Sequence, residues 1–212
     1  SKYNVDGEKQ WTRLFGTSNS DSAHALTTGS DGSIYIAGST DGDLDDQTNS
    51  GNYDAFISKY NPDGTQDWTR LLGSSSTEHA FALTTRSNGS IYIAGETGGN
   101  LDGQKNSGGY EDAFISKFNV VGEKQWTRLF GTSNSDSGSA LTTGSDGSIY
   151  IAGSTYGDLD GQTNSGSGDI FISQYNVDGE KQWTKLLGSS NYATGNALTT
   201  GSDGSIYIAG ST

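Results

Sequence analysis

The stretch ALTTGSDGSIYIAGST determines the fold, because it occurs three times without change, at residues 25–40, 140–155 and 197–212. A diverged copy occupies residues 82–97. Four tryptophans recur at intervals of 57 or 58 residues, and these are Trp11, Trp68, Trp126 and Trp183. The chain is therefore an array of one unit of about 57 residues, written almost four times.

Each unit contains four short segments with the period-two alternation of strands, and none has a sustained helical period. In the second unit these segments are HAFALTT, SIYIAGE, DAFISKF and KQWTRLF. Turn signals separate the first pair at Asn88-Gly89 and the last pair at Val121-Gly122, where other units have Asp-Gly. Because Gly, Asn and Asp tolerate the positive φ angles of tight turns, each unit is predicted to be two hairpins joined by a long loop.

Repeated four-stranded meanders are typical of β-propellers, in which each small sheet is one blade. We therefore predict an all-β fold, a β-propeller of four-stranded antiparallel blades with about 57 residues per blade. A parallel β-helix is the alternative repeat fold, but its coils are much shorter than this unit. The four tryptophans, one per unit in the same context, are predicted to pack between blades.

The whole chain, residues 1–212, is predicted to be a single propeller domain or a fragment of one. Complete blade units are assigned to about residues 22–73, 79–131 and 137–188. The fourth blade is predicted to be shared between the C-terminal half, residues 195–212, and the N-terminal half, residues 1–16. A ring of four blades, a larger ring built from two chains, and an excised part of a longer array all agree with this pattern.

Composition argues against several partners. A formal net charge of −13 with only 12 Lys and Arg disfavours nucleic acid and anionic membrane surfaces. No apolar run approaches the roughly 20 residues of a membrane-spanning helix, so no membrane insertion is predicted. Cysteine and methionine are absent, which agrees with an extracellular protein and also with a cytosolic protein that lacks cysteine.

The long loops read DGDLDDQTNSGNYD, GGNLDGQKNSGGYED and YGDLDGQTNSGSGD. They share an x-[DN]-x-D spacing that is typical of oxygen ligands around calcium. The candidate calcium ligands are Asp43, Asp45, Asn100, Asp102, Asp158 and Asp160. No glutamate follows to complete such a site, so the alternative is that these residues form side-chain turns. No cofactor is predicted to be required, and calcium is the only candidate.

The units differ mainly in the long loops and in the connections between units, and loops are where binding residues usually lie. The candidate ligand-binding residues are His24, Tyr53, Glu78, His79, Tyr110, Tyr156 and Tyr192. The tyrosines are suited to stacking on sugar rings, and the histidines have no partnered serine or cysteine nucleophile. No catalytic residue is predicted. The aspartates before the third strand of each unit, Asp54, Asp112 and Asp169, are predicted to cap backbone amides.

The pattern D-A-F-[IV]-S-[KQ]-[YF]-N-x-x-G-x-x-x-W-T-[RK]-L-[FL]-G, at residues 54–73 and 112–131, resembles the bacterial β-propeller repeat called the SBBP repeat. The likeness includes the string SDGSIYIAG and extends through the whole chain. The resemblance implies a large secreted or surface-attached bacterial protein, as in cyanobacteria, and a family named for seven blades. It carries no agreed catalytic residues.

Together these features predict a non-enzymatic structural or interaction module of a secreted or cell-surface bacterial protein. Its variable loops are expected to bind a protein or glycan partner, and it is expected to form a homo-oligomer or part of a longer array. The alternative is a calcium-assisted, lectin-like propeller that binds carbohydrate. A hydrolase or lyase is least favoured, because the inner strand of each unit, with its Ala-Leu-Thr-Thr sequence, is poor in acids and bases.

Overall fold

The computed structural model describes all residues from Ser1 to Thr212, and its secondary structure consists of β-strands alone. It has no helix of the length and apolarity needed to cross a bilayer. The strands are β1 (Lys2–Tyr3), β2 (Lys9–Trp11), β3 (Asp21–Thr28), β4 (Ile34–Thr40), β5 (Asp54–Tyr60), β6 (Gln66–Leu72), β7 (Glu78–Thr85), β8 (Ile91–Thr97), β9 (Asp112–Phe118), β10 (Lys124–Phe130), β11 (Asp136–Thr143), β12 (Ile149–Thr155), β13 (Asp169–Tyr175), β14 (Lys181–Leu187), β15 (Thr194–Thr200) and β16 (Ile206–Ser211).

Twelve of these strands form three antiparallel four-stranded meanders, each of which is one blade. The first blade contains β3 to β6, the second β7 to β10, and the third β11 to β14, and in each blade the strands pair in chain order. The segments predicted as strands in the second unit match β7 to β10 to within one residue at each end. The prediction of a β-propeller built from four-stranded antiparallel blades is therefore confirmed.

The two tight turns of each blade lie together on one side of the molecule, which we call the turn face. In the second blade these turns span residues 86–90 and 119–123 and have positive φ at Gly89 (81°) and Gly122 (79°). A Cβ placed on Gly89 would lie 3.4 Å from Cβ of Val120, so the two turns are adjacent. The long loops and the connections between blades lie at the opposite ends of the strands, which we call the loop face.

The core lies between blades rather than within one sheet. In β8, Ile91 and Ile93 point to one face of the sheet and Tyr92 and Ala94 to the other, and all four residues are buried. One apolar cluster joins the first and second blades, and another joins the second and third. Stacking on both faces explains why a single strand carries both Ile and Tyr.

The inner strands β3, β7, β11 and β15 lie side by side in chain order. Both halves that were predicted to share a fourth blade are formed, each as a separate two-stranded sheet. The outer half, β1 and β2, packs on the first blade through contacts such as that of Phe15 with Phe56, whose ring centroids are 5.1 Å apart. The inner half, β15 and β16, packs on β11 and β12 of the third blade through β15.

One contact is repeated at each junction between an outer hairpin and the blade that follows it. The indole of Trp68 lies on Gly122 in the outer turn of the second blade, and its Nε1 donates a hydrogen bond to the carbonyl of Val120 at 3.2 Å. Arg70 stacks on the same indole at 5.5 Å, and its Nε donates to the carbonyl of Gly122 at 3.0 Å. Trp126 packs in the same way on Gly179, and Trp11 packs on Gly64.

We expect Gly122→Ala to lower the free energy of unfolding for two reasons. An L-residue at positive φ costs about 1–2 kcal/mol, and a Cβ would lie only 2.8 Å from Cδ2 of Trp68, which adds about 1–3 kcal/mol of overpacking. The matched control is Gly103→Ala, because Gly103 has a φ of 73° and no atom within 4 Å of the Cβ position. Urea unfolding followed by tryptophan fluorescence measures both variants. Equal destabilisation by the two substitutions would show that the indole contact contributes nothing.

Candidate binding site

The candidate calcium ligands hold the long loops in shape. Asp43, Asn100 and Asp158 each accept a hydrogen bond from the backbone N–H six residues later, at 2.8–2.9 Å. These bonds close the same wide turn in all three blades. The side-chain turns that were the alternative reading are therefore present in the structure.

The second residue of each pair, Asp45, Asp102 or Asp160, has a left-handed backbone with φ of 49–52°. Its carboxylate accepts a hydrogen bond from a threonine hydroxyl in the last strand of the same blade, namely Thr69, Thr127 or Thr184. Lys124 and Lys181 also form ion pairs with the second and third of these carboxylates. The structure has no group of three or more His, Asp or Glu side chains placed to hold a metal ion. Calcium binding at these loops stays a prediction.

The aspartates before the third strand cap backbone amides, as predicted. Oδ2 of Asp54, Asp112 and Asp169 accepts a bond from the N–H of Ser50, Ser107 and Ser165, respectively, at 2.6–3.0 Å. All three aspartates are buried, and Oδ1 of each has no hydrogen-bond partner.

A second acid from the next blade lies near the capping aspartate at two of these junctions. A Cβ on Gly131 would lie 2.4 Å from Oδ1 of Asp112 and 2.9 Å from Oδ2 of Asp136, so the two carboxylates meet there. Burial raises the pKa of both aspartates above the ordinary value. Burial and the nearby carboxylate of Glu78 also raise the pKa of Asp54. The folded chain therefore binds protons more tightly at these junctions than the unfolded chain does.

We expect Asp112→Asn to raise the melting temperature, and to raise it more at pH 8 than at pH 5. The raised pKa means that the folded state loses stability as pH increases from the unfolded value through the folded value. Asparagine cannot ionise, and its amide oxygen can still accept the bond from Ser107. Thermal unfolding followed by circular dichroism, at constant ionic strength, measures the difference at each pH. The exposed Asp46→Asn is the control for removal of one charge, and a pH-independent difference for Asp112→Asn would contradict the prediction.

Two of the predicted ligand-binding residues are histidines, and the structure places them in one aromatic cluster. The ring centroids of His24 and His79 are 6.4 Å apart, and His79 stacks on Phe81 at 5.8 Å. Tyr53 lies 5.4 Å from His79 on the other side. Burial, followed by the proximity of His24, lowers the pKa of His79, which favours the neutral imidazole. Glu78 is instead buried and accepts three bonds, from the N–H and hydroxyl of Ser74 and from the hydroxyl of Thr97.

His24 and Phe81 occupy the same position in their blades, a β-bulge in the inner strand. The pairing of β3 with β4 shifts between Ala23 and Ala25, and that of β7 with β8 shifts between Ala80 and Ala82. A bulge leaves its extra residue out of the regular pairing and re-aims the side chain. The same position carries Ser139 and Asn196 in the other two inner strands, so it differs in every unit.

A cavity of about 580 Å³ opens on the loop face between the second and third blades. Three predicted tyrosines line it, and these are Tyr110, Tyr156 and Tyr192. The rings of Tyr156 and Tyr192 stack with centroids 5.2 Å apart. The hydroxyl of Tyr192, together with partial burial, raises the pKa of Tyr156 to about 12, so this phenol stays protonated at neutral pH.

Three further residues of this cavity, Phe81, Glu96 and Glu111, were not singled out from the sequence. Burial raises the pKa of Glu96, and the charge of Glu111 adds to this effect. Comparison of the units could have identified Glu96, because the three identical copies have serine at this position, namely Ser39, Ser154 and Ser211. The long loop of the second unit is also one residue longer than the others, at Tyr110-Glu111.

Comparison with solved structures defines the class of fold. A crystal structure of a protein of unknown function from Bacteroides caccae is similar, with a TM-score of 0.55 and 11% sequence identity. The match covers 98% of this chain and 59% of the other chain. At this identity the likeness shows the fold alone.

Comparison with sequence families places the chain more narrowly. The model of the SBBP β-propeller repeat matches residues 10–45, 125–160 and 182–212, and the model of a β-propeller domain of unknown function, DUF5122, matches residues 29–69. The chain belongs to the SBBP-type β-propeller repeat family, which confirms the resemblance found in the sequence. It is also 30% identical over 189 residues to the Regulatory protein FlaEY of Caulobacter vibrioides. That match covers 82% of this chain and 20% of FlaEY, so the chain spans a fifth of its relative.

Proposed function

We propose that this chain is a non-enzymatic interaction module that binds a protein or glycan partner through its loop face. The observation that carries the proposal is that the distinctive loop-face residues of the second unit lie around one cavity. Phe81, Glu96 and Glu111 line the cavity between the second and third blades, and His79 stacks on Phe81 beside it. The turns on the opposite face keep the same length and the same turn glycine in every unit, although single residues such as Pro62, Arg86 and Val121 differ.

The pattern of variation agrees with binding rather than with packing. The tryptophan that joins blades recurs in all four units, and the arginine two residues later recurs in three of them, as Arg13, Arg70 and Arg128, because those three junctions use the same contact. Residues around the cavity do not take part in this repeated contact between blades, so they can differ between units. Substitutions gathered around one cavity on the variable loop face are those expected of a specialised binding site.

A non-enzymatic role is supported by the geometry of the reactive side chains. Nδ1 of His79 is buried without a hydrogen-bond partner, so it does not activate a serine or threonine hydroxyl as a nucleophile. We place the module in a secreted or cell-surface bacterial protein, as part of a longer array or of a homo-oligomer. The net charge of −13, the absence of cysteine and the membership in the SBBP-type family support that placement.

A second candidate function is calcium-assisted binding of carbohydrate. The stacked pair of Tyr156 and Tyr192 and the exposed ring of Tyr110 favour it, since aromatic faces pack on sugar rings. A glycan array probed with and without calcium tests it. Glycan binding that is lost when Tyr110 is replaced would support this candidate function. Absence of glycan binding both with and without calcium would contradict it.

Selection of a phage-displayed peptide library on the immobilised chain tests the main proposal, and we expect it to enrich peptides that bind the loop face. The matched variant is His79→Ser/Phe81→Ser/Glu96→Ser, which gives the second unit the residues of Ser137, Ser139 and Ser154 in the third. Selected peptides should bind this variant at least about ten-fold more weakly, a loss of about 1.4 kcal/mol. The control is Val121→Asp, which gives the turn face of the same blade the residue found at Asp178.

Two results would contradict the proposal. Either no peptide is enriched, or the enriched peptides bind the triple variant as tightly as the original chain. Robust hydrolytic turnover in a substrate screen, abolished by Glu96→Gln, would overturn the non-enzymatic assignment.

A further inference from the structure

We infer that the cavity between the second and third blades binds an alkylammonium group, such as a quaternary ammonium or the protonated amine of a lysine side chain. This inference rests on the proposed function, because it assigns a ligand class to the same cavity. The residues involved are mainly those in which the second unit differs from the other units, such as Phe81, Glu96 and Glu111.

The charge of the cavity is entirely negative. Three carboxylates line it, those of Glu96, Glu111 and Asp136, and the lining contains no lysine, arginine or histidine. The ion pairs of the chain lie elsewhere, between Lys59 and Asp67 and in the long loops. These carboxylates therefore have no cation of the chain itself as a partner, and an anionic ligand would be repelled.

One of the three acids has an unsatisfied oxygen. Asp136 is only 1% exposed, and its Oδ1 has no hydrogen-bond partner, although Oδ2 accepts a bond from the N–H of Thr132 at 2.6 Å. The negative charge of this buried carboxylate is not balanced by a cation of the chain, so a cation bound in the cavity would be attracted to it.

Aromatic rings form the other part of the lining. Phe81, Tyr110 and the stacked pair of Tyr156 and Tyr192 present rings to the same space as the carboxylates. A cation over an aromatic face is attracted by the ring quadrupole, and rings combined with carboxylates are the usual recognition set for alkylammonium groups. The chain uses this attraction internally, with Arg70 over Trp68 at 5.5 Å and Lys117 over Tyr92 at 5.9 Å.

The dimensions of the site favour an organic cation over a metal ion. No three acidic groups of the chain approach closely enough to coordinate a metal. A cavity of about 580 Å³ also falls in the size range of small-molecule sites, which is far larger than one ion. An alkylammonium group combines positive charge with apolar surface, and this cavity offers both carboxylates and rings.

Choline is the probe that tests the inference, with 3,3-dimethyl-1-butanol as its uncharged isostere. Isothermal titration and ligand-observed NMR on the full chain should show that choline binds at least about ten-fold more tightly than the neutral alcohol. The alcohol has the same shape as choline, so this ratio reports the charge. Equal binding of the two, or no binding of choline, would overturn the inference.

Substitutions of residues that line the cavity test whether choline binds there. We expect Glu96→Ser and Tyr110→Ala each to weaken choline binding at least about five-fold, within the range of cation–π and charge-pair contributions. Serine already stands at the equivalent position of every other unit, and Tyr110 is 82% exposed, so both variants should fold. Asp46→Asn, which removes a charge from an exposed loop of the first blade, should leave choline binding unchanged. Full affinity in Glu96→Ser, or an equal loss in Asp46→Asn, would contradict the assignment.

The outcomes separate this inference from the proposed function. Selected peptides that need the cavity, together with a failure of choline to bind, would refute the ammonium ligand and leave the interaction module in place. Glycan binding that depends on Tyr110, without choline binding, would assign the cavity to carbohydrate. Failure of both choline and the peptide library would refute both proposals.

Discussion

The contact on which the rest of the structure depends is an indole ring lying on a glycine of the next blade. Trp68 occupies the space above Gly122 where any side chain would have to be, and the positive φ of that glycine is what a tight hairpin turn needs. One residue thus serves both the turn within a blade and the packing between blades. Arg70 adds a stacked guanidinium and a hydrogen bond to the same turn, which aligns each outer hairpin with the following sheet.

This arrangement divides the surface in two. The turn face is held by contacts that recur at three junctions, so the turn lengths, the turn glycines and the packing tryptophan are the same in all units. The loop face carries the long loops and the inter-blade connections, whose backbone is fixed by short-range bonds such as that of Asp43 with Asn49. Because those bonds hold the loop from within, neighbouring side chains can change without loss of the fold. The cavity between the second and third blades lies in this permissive region.

The repeat, the strands and both hairpins of each unit could be predicted because each is a local pattern. The candidate site was only partly predictable. Tyr110, Tyr156 and Tyr192 were recognised as loop aromatics, but their meeting in one cavity depends on the angle between two blades. Glu78 was a candidate ligand-binding residue, but it is buried, and Ser74 and Thr97 both donate hydrogen bonds to it. Glu96 was overlooked because it lies within a strand, where alternation alone does not reveal which side opens on a cavity.

The sequence by itself determined that this chain is an array of four-stranded sheets, because hydrophobic alternation, turn glycines and the recurring tryptophan are written into every unit. Only the tertiary structure decided which polar residues meet. Carboxylates of successive blades come together at Gly131, and Glu96 and Glu111 line the same cavity as Tyr156 and Tyr192, because adjacent sheets stack on each other. Such encounters join residues from different units, and no local pattern within one unit encodes them.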